Sequence, residues 1–360
     1  MSNTIYTVII GTGSYVPNRV IKNDFFLDAE FYDPATNQKF EIPNSEIIRK
    51  FFEITNIEER RYADDDQVTS DLAALAAKDA IASSGIDPES LEFILVAHNF
   101  GDMNHGLVQP DLCPSLANRV KTKLGITNPS VLTNDIISGC PGWTTAMITA
   151  NAFIKSGIFK RGMVIGADVL SRVADPYDRD RMIFSDGAGA AIVEAVESLV
   201  PIGILSHACR SDNDHGMLNM GFSVNHDCPK THMHLKMLGS KVYVYALSTV
   251  PGVVKESLEK AGLHLDDVSK VLIHQANEKM DEAILSRVFK LYGKADYDKN
   301  VMPMTIQHFG NSSTATVPTL LDLVLKDKME DHQISKGDTI ILTSVGAGMT
   351  INSIVYKVPE

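Results

Sequence analysis

The 360-residue sequence contains few cysteines and no long apolar run. Its four cysteines are far apart along the chain: Cys113, Cys140, Cys209 and Cys228. This spacing indicates no disulfide framework and favours a reduced, cytoplasmic setting. No stretch reaches the roughly 18 apolar residues of a membrane span, so none is predicted. The first ten residues lack a basic n-region and lead directly into a strand-like segment, so we expect no secretory leader.

Positive charge is also scarce, because the formal net charge is −12. Nonspecific nucleic-acid binding requires a basic surface that displaces counterions, so this class of function is not predicted. An acidic partner would have to bind a local basic patch instead. With 44% hydrophobic and 22% charged residues, the composition is that of an ordinary globular protein. The length suits one large domain or two of ordinary size.

Helix-like and strand-like segments alternate along the chain, which predicts an α/β protein. Part of this pattern occurs twice. A helical segment that ends at Gly85 precedes an apolar strand at 93–97, and another that ends at Gly262 precedes a strand at 271–273. Chance similarity is the alternative, because helix, glycine and strand often follow each other in α/β proteins.

A second repeated feature favours duplication over chance. Gly-Ala-Gly turns at 187–189 and 346–348 each lead into a strand that ends one half of the chain. We therefore predict two α/β halves, residues 1–200 and 201–360. Two segments have no clear periodicity and are predicted to be inserted loops, residues 27–47 and 101–113.

Cys140 lies where a strand-like segment, 131–137, meets an apolar helical segment, 144–154. Pro141 suits a first helical turn, where its missing N–H has no partner to lose. At a helix start, free N–H groups and the dipole favour a thiolate, so Cys140 is a candidate nucleophile. The alternative is a buried and inert cysteine.

Two further strand-to-helix corners carry polar side chains. His274 follows the strand at 271–273, at the end of a strand where ligand-binding loops of α/β sheets gather. Asn311 follows Gly310 in a polar loop that precedes a helix near Thr316. A locally hydrogen-bonded histidine and a helix N-cap are the respective alternatives. Together with Cys140, they could converge on one pocket.

The order of these motifs resembles the 3-oxoacyl-(acyl-carrier-protein) synthase III family of thiolase-like condensing enzymes. The resemblance runs almost end to end, through residues 11–17, 55–60, 138–143, 175–179, 184–190, 274–277, 310–316 and 346–348. It implies a duplicated thiolase-like fold, with two βαβαβαββ halves in an α-β-α-β-α arrangement.

The resemblance also implies the roles of the main site residues. Cys140 would be the nucleophile, with His274 and Asn311 as its catalytic partners. The backbone N–H groups of Cys140 and Ala347 would form an oxyanion hole. Acetoacetyl-forming thiolases would need a second cysteine within 344–349, and elongating synthases a histidine at position 311. Neither is present.

Four more residues match positions that contact substrate or carrier in the family. Asn277 and Lys279 would lie near the pantetheine arm or carrier protein, with a solvated surface lysine as the alternative for Lys279. Arg179 matches an arginine that holds the adenine of coenzyme A against an aromatic ring, but no tryptophan lies near residues 50–51. Carrier-protein delivery is therefore favoured. Trp143 either narrows an acyl tunnel or packs in the core.

Three functions remain open at this point. The first is a ketosynthase of specialised lipid or polyketide synthesis, similar to the dialkylresorcinol-forming enzymes, that condenses an acyl-Cys140 thioester with a malonyl or 3-oxoacyl thioester. The second is the initiating synthase of fatty-acid synthesis. The third is a non-catalytic partner that binds an acyl chain or carrier. Acyl-carrier-protein or coenzyme A thioesters are the expected partners, and the resemblance implies a homodimer.

No cofactor or metal is predicted. The glycine pair Gly11 and Gly13 lacks the third glycine of a dinucleotide fingerprint. The residues His226, Cys228, His232 and His234 match no strong zinc spacing, and a loop followed by a strand explains them better.

Overall fold

A computed structural model of the chain describes residues 4–212 and 216–360. The strands are β1 (Thr4–Tyr15), β2 (Arg19–Lys22), β3 (Glu59–Tyr62), β4 (Phe93–His98), β5 (Leu132–Ile137), β6 (Arg161–Val169), β7 (Asp186–Ser198), β8 (Gly203–Ser211), β9 (Leu218–Gly221), β10 (His234–Met237), β11 (Val268–Ile273), β12 (Thr339–Gly346) and β13 (Thr350–Lys357). The helices are α1 (Asn44–Thr55), α2 (Thr69–Ser84), α3 (Leu116–Lys123), α4 (Gly142–Lys155), α5 (Gly239–Ala261), α6 (Glu278–Leu291), α7 (Ile306–Phe309) and α8 (Thr316–Leu325). Within these residues, no helix combines the length and apolarity needed to cross a bilayer.

The two large sheets share the same topology over four strands. The first has the strand order β1-β7-β6-β4-β5, and the second the order β8-β13-β12-β11. In each sheet the first two neighbouring pairs are antiparallel and the third is parallel. The predicted duplication is therefore visible in both order and direction of the strands. The residue boundary near position 200 stays a prediction.

The order of the layers is set by the helices that cover each face of the two large sheets. Helices α4 and α8 pack between the two sheets, where a shared apolar cluster joins both halves. Helices α2 and α3 cover the outer face of the first sheet, and α5 and α6 that of the second. Strands such as β4 are buried on both faces, and β4 is accordingly apolar up to its last residue, His98. This is the predicted α-β-α-β-α arrangement.

The second half differs from the predicted strand count. The first half follows the βαβαβαββ order in full, with the antiparallel pair of β2 and β3, and helix α1 between them, inserted after β1. In the described part of the second half, the large sheet has four strands instead of five. The chain between α6 and α8 instead forms short helical turns, including α7. This segment continues into the loop that places Asn311 between the two halves of the chain.

The repeated glycines end their helices for the predicted reason. Gly85 ends α2 and Gly262 ends α5, each at φ 68°. This left-handed conformation is strained for residues that carry a Cβ, which explains why glycine occurs at both helix ends. The predicted inserted loop at 27–47 is irregular at first, but its last four residues begin helix α1.

Candidate active site

Cys140 lies at the predicted corner, between the end of β5 and the start of α4. Pro141 is the N-cap of α4, one residue before the first helical turn in which the sequence predicted it. The corner packs tightly on the turn that follows β12. A Cβ placed on Gly139 would lie 2.7 Å from the Ala347 nitrogen, and one on Gly346 2.7 Å from the Cys140 nitrogen. Glycine at both positions lets the two backbone N–H groups of the predicted oxyanion hole come close together.

His274 directly follows β11 and is buried. Its backbone N–H donates to the carbonyl of Thr343 at 2.9 Å, which continues the β11–β12 ladder by one step. Burial lowers the pKa of His274 to about 4, and a backbone hydrogen bond with Ser313 opposes this shift. The imidazole is therefore neutral at physiological pH, with one N–H that can donate to a ligand.

Asn311 is held between the two halves of the chain. Its backbone N–H donates to Ile183 at 2.9 Å, and its carbonyl accepts from the Ser185 N–H at 2.8 Å. In the side chain, Oδ1 accepts from the Ser313 N–H at 2.8 Å. Because a backbone N–H can only donate, this contact fixes the amide orientation and leaves Nδ2 able to donate into the cavity.

These side chains share one narrow cavity. Its polar wall consists of Cys140, His274, Asn311, Ser313 and Asn99, and the turn at Gly346 and Ala347 also lines it. The remaining lining is mainly apolar: Leu170, Phe184, Leu218, Leu235, Met237, Val242, Ala276, Met280 and Val345. The structure thus brings together the predicted nucleophile, its two partners and the oxyanion turn. An apolar cavity with a few convergent polar groups suits an acyl thioester.

Cys140 differs from the sequence prediction in its protonation state. Burial raises the pKa of its thiol to about 12, while the Ser313 hydroxyl lowers this pKa and the Asp168 carboxyl raises it. The prediction that the helix start keeps a resting thiolate is therefore wrong, because removal of the sulfur from water has the larger effect. Deprotonation has to accompany the reaction, and neutral His274 lines the same cavity.

Sequence reasoning missed three residues behind the nucleophile. Ser313 donates its hydroxyl hydrogen to the Cys140 sulfur at 3.4 Å. Asn99 bonds Ser313, and the buried carboxylate of Asp168 bonds Asn99. Two signals could have indicated them. Asn99 directly follows the carboxyl end of a strand that begins with five apolar residues, and Ser313 lies within the motif that contains Asn311.

The β9–β10 hairpin forms an apolar part of the cavity through Leu218, Leu235 and Met237. Between the last two, Lys236 binds the carboxylates of Asp175 and Asp178. Asp175 also accepts from the Ser223 hydroxyl and the Val224 N–H of the loop between the two strands. One buried carboxylate therefore holds both the strand and the loop of this hairpin.

Arg179 is exposed, and its guanidinium lies 5.3 Å from the ring centroid of Phe40. Phe40 belongs to the inserted loop, not to the segment near residues 50–51 where the aromatic partner was sought. The structure therefore supplies an aromatic partner for Arg179 from an unexpected part of the chain. The guanidinium and the ring are in direct cation–π contact.

The remaining predicted contacts lie outside this cavity among the described residues. Asn277 caps α6, since its Oδ1 accepts from the Met280 N–H at 3.1 Å. Lys279 is exposed, and its ammonium donates to the backbone carbonyl of Glu53 in α1. Trp143 is 1% exposed and packs in the shared core, where its indole N–H donates to Val164 at 3.3 Å. The structure thus places Trp143 in the core, the second of its two alternatives.

Comparisons with known proteins agree with this architecture. Residues 134–213 match the family described as 3-oxoacyl-[acyl-carrier-protein] synthase III, and residues 258–358 match its C-terminal part. The beta-ketoacyl-[acyl-carrier-protein] synthase III of Staphylococcus aureus strain Newman is 34% identical over 350 residues, which cover 97% of this chain and 98% of the relative.

Solved structures show the same similarity over the whole chain. The 3-oxoacyl-[acyl-carrier-protein] synthase III from Aquifex aeolicus VF5 has a TM-score of 0.79 at 28% identity, with 98% of this chain and 99% of that chain covered. The priming β-ketosynthase from the R1128 polyketide pathway also reaches 0.79, at 25% identity, with 100% and 98% covered.

Proposed function

The chain belongs to the 3-oxoacyl-[acyl-carrier-protein] synthase III family of thiolase-like enzymes, and from this premise we propose how its cavity works. It is an acyltransferase of the ketosynthase type, so the non-catalytic alternative is set aside. We propose that Cys140 carries the acyl group and that His274 and Asn311 promote the condensation. The observation that carries this proposal is the convergence of these three side chains and Ala347 on one cavity.

In the first stage, the Cys140 sulfur attacks the carbonyl carbon of an acyl thioester. The thiol proton leaves through the neutral imidazole of His274, and the departing thiol takes a proton, so the charges balance. The backbone N–H groups of Cys140 and Ala347 stabilise the oxyanion that forms during attack. Loss of one such donor typically lowers the rate by about 100- to 1,000-fold.

In the second stage, a malonyl thioester loses carbon dioxide and becomes an enolate. The N–H of His274 and the Nδ2 group of Asn311 donate to the enolate oxygen. The carbanion then attacks the acyl carbon on Cys140, a carbon–carbon bond forms, and the sulfur leaves and recovers a proton. The single N–H of neutral His274, which is hydrogen-bonded to the Ser313 backbone before a ligand replaces it, and the fixed amide of Asn311 support these donor roles.

Intact-protein mass spectrometry tests the nucleophile. After incubation with an acyl thioester, the unchanged protein should gain the mass of one acyl group, and the Cys140→Ala variant should gain none. Cys209→Ala is a matched control, because Cys209 is an exposed cysteine on β8. An acyl adduct that persists in Cys140→Ala and disappears in Cys209→Ala would remove the assignment.

Among the family functions, the initiating synthase of fatty-acid synthesis has the best support, since relatives matched over nearly their full length are named beta-ketoacyl-[acyl-carrier-protein] synthase III. A specialised ketosynthase, such as a dialkylresorcinol-forming enzyme, remains the second candidate. One observation favours it: the similarity to a priming ketosynthase of a polyketide pathway at the same TM-score. Loading of Cys140 by thioesters of increasing chain length separates the two, because an initiating enzyme should accept short primers.

The contact between Phe40 and Arg179 favours delivery of the acyl group by a carrier protein. In coenzyme A-dependent relatives, the resemblance implies an adenine between the arginine and an aromatic ring. Here the ring lies 5.3 Å from the guanidinium carbon, which leaves no room for an adenine between them. Coenzyme A would have to displace Phe40 before its adenine could stack on Arg179.

Replacement of Phe40 by alanine tests this delivery route. We expect Phe40→Ala to raise kcat/KM for acyl-coenzyme A several-fold. The value of kcat/KM for the acyl-carrier protein should stay nearly unchanged. Phe25→Ala is a suitable control, since Phe25 is 53% exposed and, among the described residues, makes no cation–π contact with Arg179. Equal use of both donors before and after the Phe40 change would contradict carrier preference.

We also infer a homodimer, as the family resemblance implies. The exposed edge of the first sheet supports it, because β5 presents Leu132 and Ile137, 41% and 66% exposed. An unprotected apolar edge strand tends to be covered by another chain. Light scattering of the purified protein tests the mass, and a monomer at micromolar concentration would contradict the inference.

A further inference from the structure

The Cys140 sulfur has a hydroxyl partner that the proposed condensation does not use. Ser313 Oγ lies 3.4 Å from this sulfur, within the range of an O–H···S hydrogen bond. Ser313 is 3% exposed and has a φ of 53°, a left-handed conformation that is uncommon for residues other than glycine. Strained backbone of this kind persists where the surrounding structure demands it, often at functional sites.

Asn99 determines which way the Ser313 hydroxyl points. The Nδ2 group of Asn99 donates one hydrogen to Ser313 Oγ at 2.8 Å and the other to Asp168 Oδ2 at 2.7 Å. A hydroxyl has a single hydrogen. Because Asn99 occupies an acceptor position of Ser313 Oγ, the hydroxyl hydrogen is left for the sulfur of Cys140.

Asp168 in turn fixes Asn99. Its carboxylate accepts four hydrogen bonds, from the N–H and Nδ2 of Asn99 and from the N–H and Oγ1 of Thr314. One donor reaches Oδ1 and three reach Oδ2, so the group acts as an acceptor in all four of these contacts. A carboxylate can only accept, and Asn99 must therefore turn its NH₂ group, not its oxygen, towards Asp168 and Ser313.

We propose that Ser313 is a further catalytic residue, whose hydroxyl donates to the Cys140 sulfur and stabilises the thiolate as it forms, and that Asn99, anchored by Asp168, is its positioning residue. This inference rests on the proposed role of Cys140. A nucleophilic Cys140 needs a group that stabilises its thiolate, because burial and the nearby Asp168 charge both oppose that thiolate. The Ser313 hydroxyl is such a group. Charge-assisted hydrogen bonds are stronger than neutral ones, so the contact strengthens when the sulfur becomes negative.

Other titratable groups around the sulfur come from three elements. His274, after β11, lines the same cavity and is neutral because burial lowers its pKa. Asp168, at the end of β6, lies behind Asn99, and its own pKa is raised by burial. His98, at the end of β4, contacts the carboxylate of Asp135, and its charge lowers the pKa of Asp168. Substitution of Ser313 removes none of these charges, so an effect on the thiol would come from the hydroxyl.

Alkylation of Cys140 by iodoacetamide, followed by mass spectrometry of its peptide, tests the proposal. A hydrogen bond to a charged group is worth about one to two pKa units. A thiolate of higher pKa is also more nucleophilic, which offsets about half of the loss. Ser313→Ala should therefore slow alkylation roughly 3- to 15-fold between pH 7 and 10. Ser312→Ala is the control, since the Ser312 hydroxyl bonds only Thr316 among the described residues.

Two further variants separate a hydroxyl effect from a folding effect. Ser313→Gly also removes the hydroxyl but suits a positive φ, so it should slow alkylation as Ser313→Ala does while thermal stability is kept. Asn99→Leu should slow alkylation about 2- to 4-fold by itself. In the double variant with Ser313→Ala, Asn99→Leu should add nothing, because it acts through Ser313.

Unchanged alkylation, within twofold, in both folded Ser313 variants would overturn the proposal. Additive effects of Asn99 and Ser313 would overturn the positioning role of Asn99. Iodoacetamide needs neither an acyl thioester nor a condensation. A failure of Cys140 to load an acyl group would therefore defeat the proposed function and leave this measurement intact.

Discussion

The polar wall of the cavity, which carries Cys140, is held by buried hydrogen bonds, whereas the β9–β10 hairpin that lines the same cavity is held by the ion pairs of Lys236. Asp168, behind the polar wall, is 1% exposed and has four donors. Lys236, behind the hairpin, has a side chain that is 17% exposed.

This difference suggests a division of labour between the two regions. The wall for which we propose the chemistry is held by short-range, directional contacts that solvent does not screen. The hairpin that lines the cavity is held by ion pairs of two buried carboxylates with Lys236, whose side chain is 17% exposed, so solvent screens these pairs in part. We therefore expect changes in the polar wall to affect rate constants and changes in the hairpin to affect selectivity.

The largest effect is expected from Asn311→Ala in the polar wall. Removal of Nδ2 takes one of two donors from the enolate and should slow condensation about 100- to 1,000-fold. Acylation of Cys140 should stay within about tenfold of the unchanged protein, because the oxyanion donors are backbone groups. Single-turnover mass spectrometry measures both steps. Equal losses in both would place Asn311 outside the enolate site.

The protonation states of the two regions provide the second comparison. His274 has a pKa of about 4 because it is buried, while the unfolded chain binds a proton below about pH 6.5. Between these values, His274 should lower the free energy of unfolding by about 1.4 kcal/mol per pH unit as the pH falls. Urea unfolding of His274→Gln should lack this contribution, about 3 kcal/mol in total.

The hairpin should respond at lower pH. Burial alone would raise the pKa of Asp175, but Lys236 and the N–H groups of Val224 and Tyr177 together lower it. A carboxyl with a lowered pKa stabilises the fold above its unfolded value, near pH 4, and loses that contribution as the pH falls further. Limited proteolysis of the loop at 222–233 measures whether the contact of Asp175 with Lys236 still holds the hairpin. Cleavage that already rises between pH 6.5 and 5 would contradict the expectation that the hairpin responds at lower pH than His274.

Sequence reasoning found the parts of the site that lie at ends of regular elements. Cys140 and His274 each follow a strand that the hydrophobic pattern marked, whereas the role of Ala347 was implied by the family resemblance. Duplication was also readable, because it repeats local patterns such as the helix end at Gly85 and Gly262. Local periodicity fixes such positions without knowledge of the partner segment.

The missed residues depend on contacts between distant segments. Asn99 meets Ser313 across 214 positions, and Asp168 meets Thr314 across 146. No local pattern records these pairs, because they arise only when the two halves pack together. Phe40 was missed for a related reason: an aperiodic loop gives no indication of which side chain it will place on Arg179.

Lys236→Met should have an intermediate effect, confined to the hairpin. Asp175 would keep its backbone donors but lose its counter-charge, at about 2 kcal/mol of unfolding free energy, between the values for exposed and buried pairs. KM for long acyl donors should change several-fold, and iodoacetamide alkylation of Cys140 should not. Lys230→Met is the control, because Lys230 is exposed and lies over Phe222 in the connecting loop.

The smallest change tests the apolar face of the hairpin itself. Leu235 lines the cavity beside Met237, and Leu235→Ala removes three carbon atoms from this wall. Each buried CH₂ of a substrate is worth about 0.8 kcal/mol, or roughly fourfold in kcat/KM. Donors two to three carbons longer should therefore gain about fourfold per added carbon, relative to the short donors. Leu238→Ala, outside the cavity lining and 44% exposed, should leave this series unchanged. A uniform loss at every chain length would mean that the hairpin supports the fold without selecting the acyl chain.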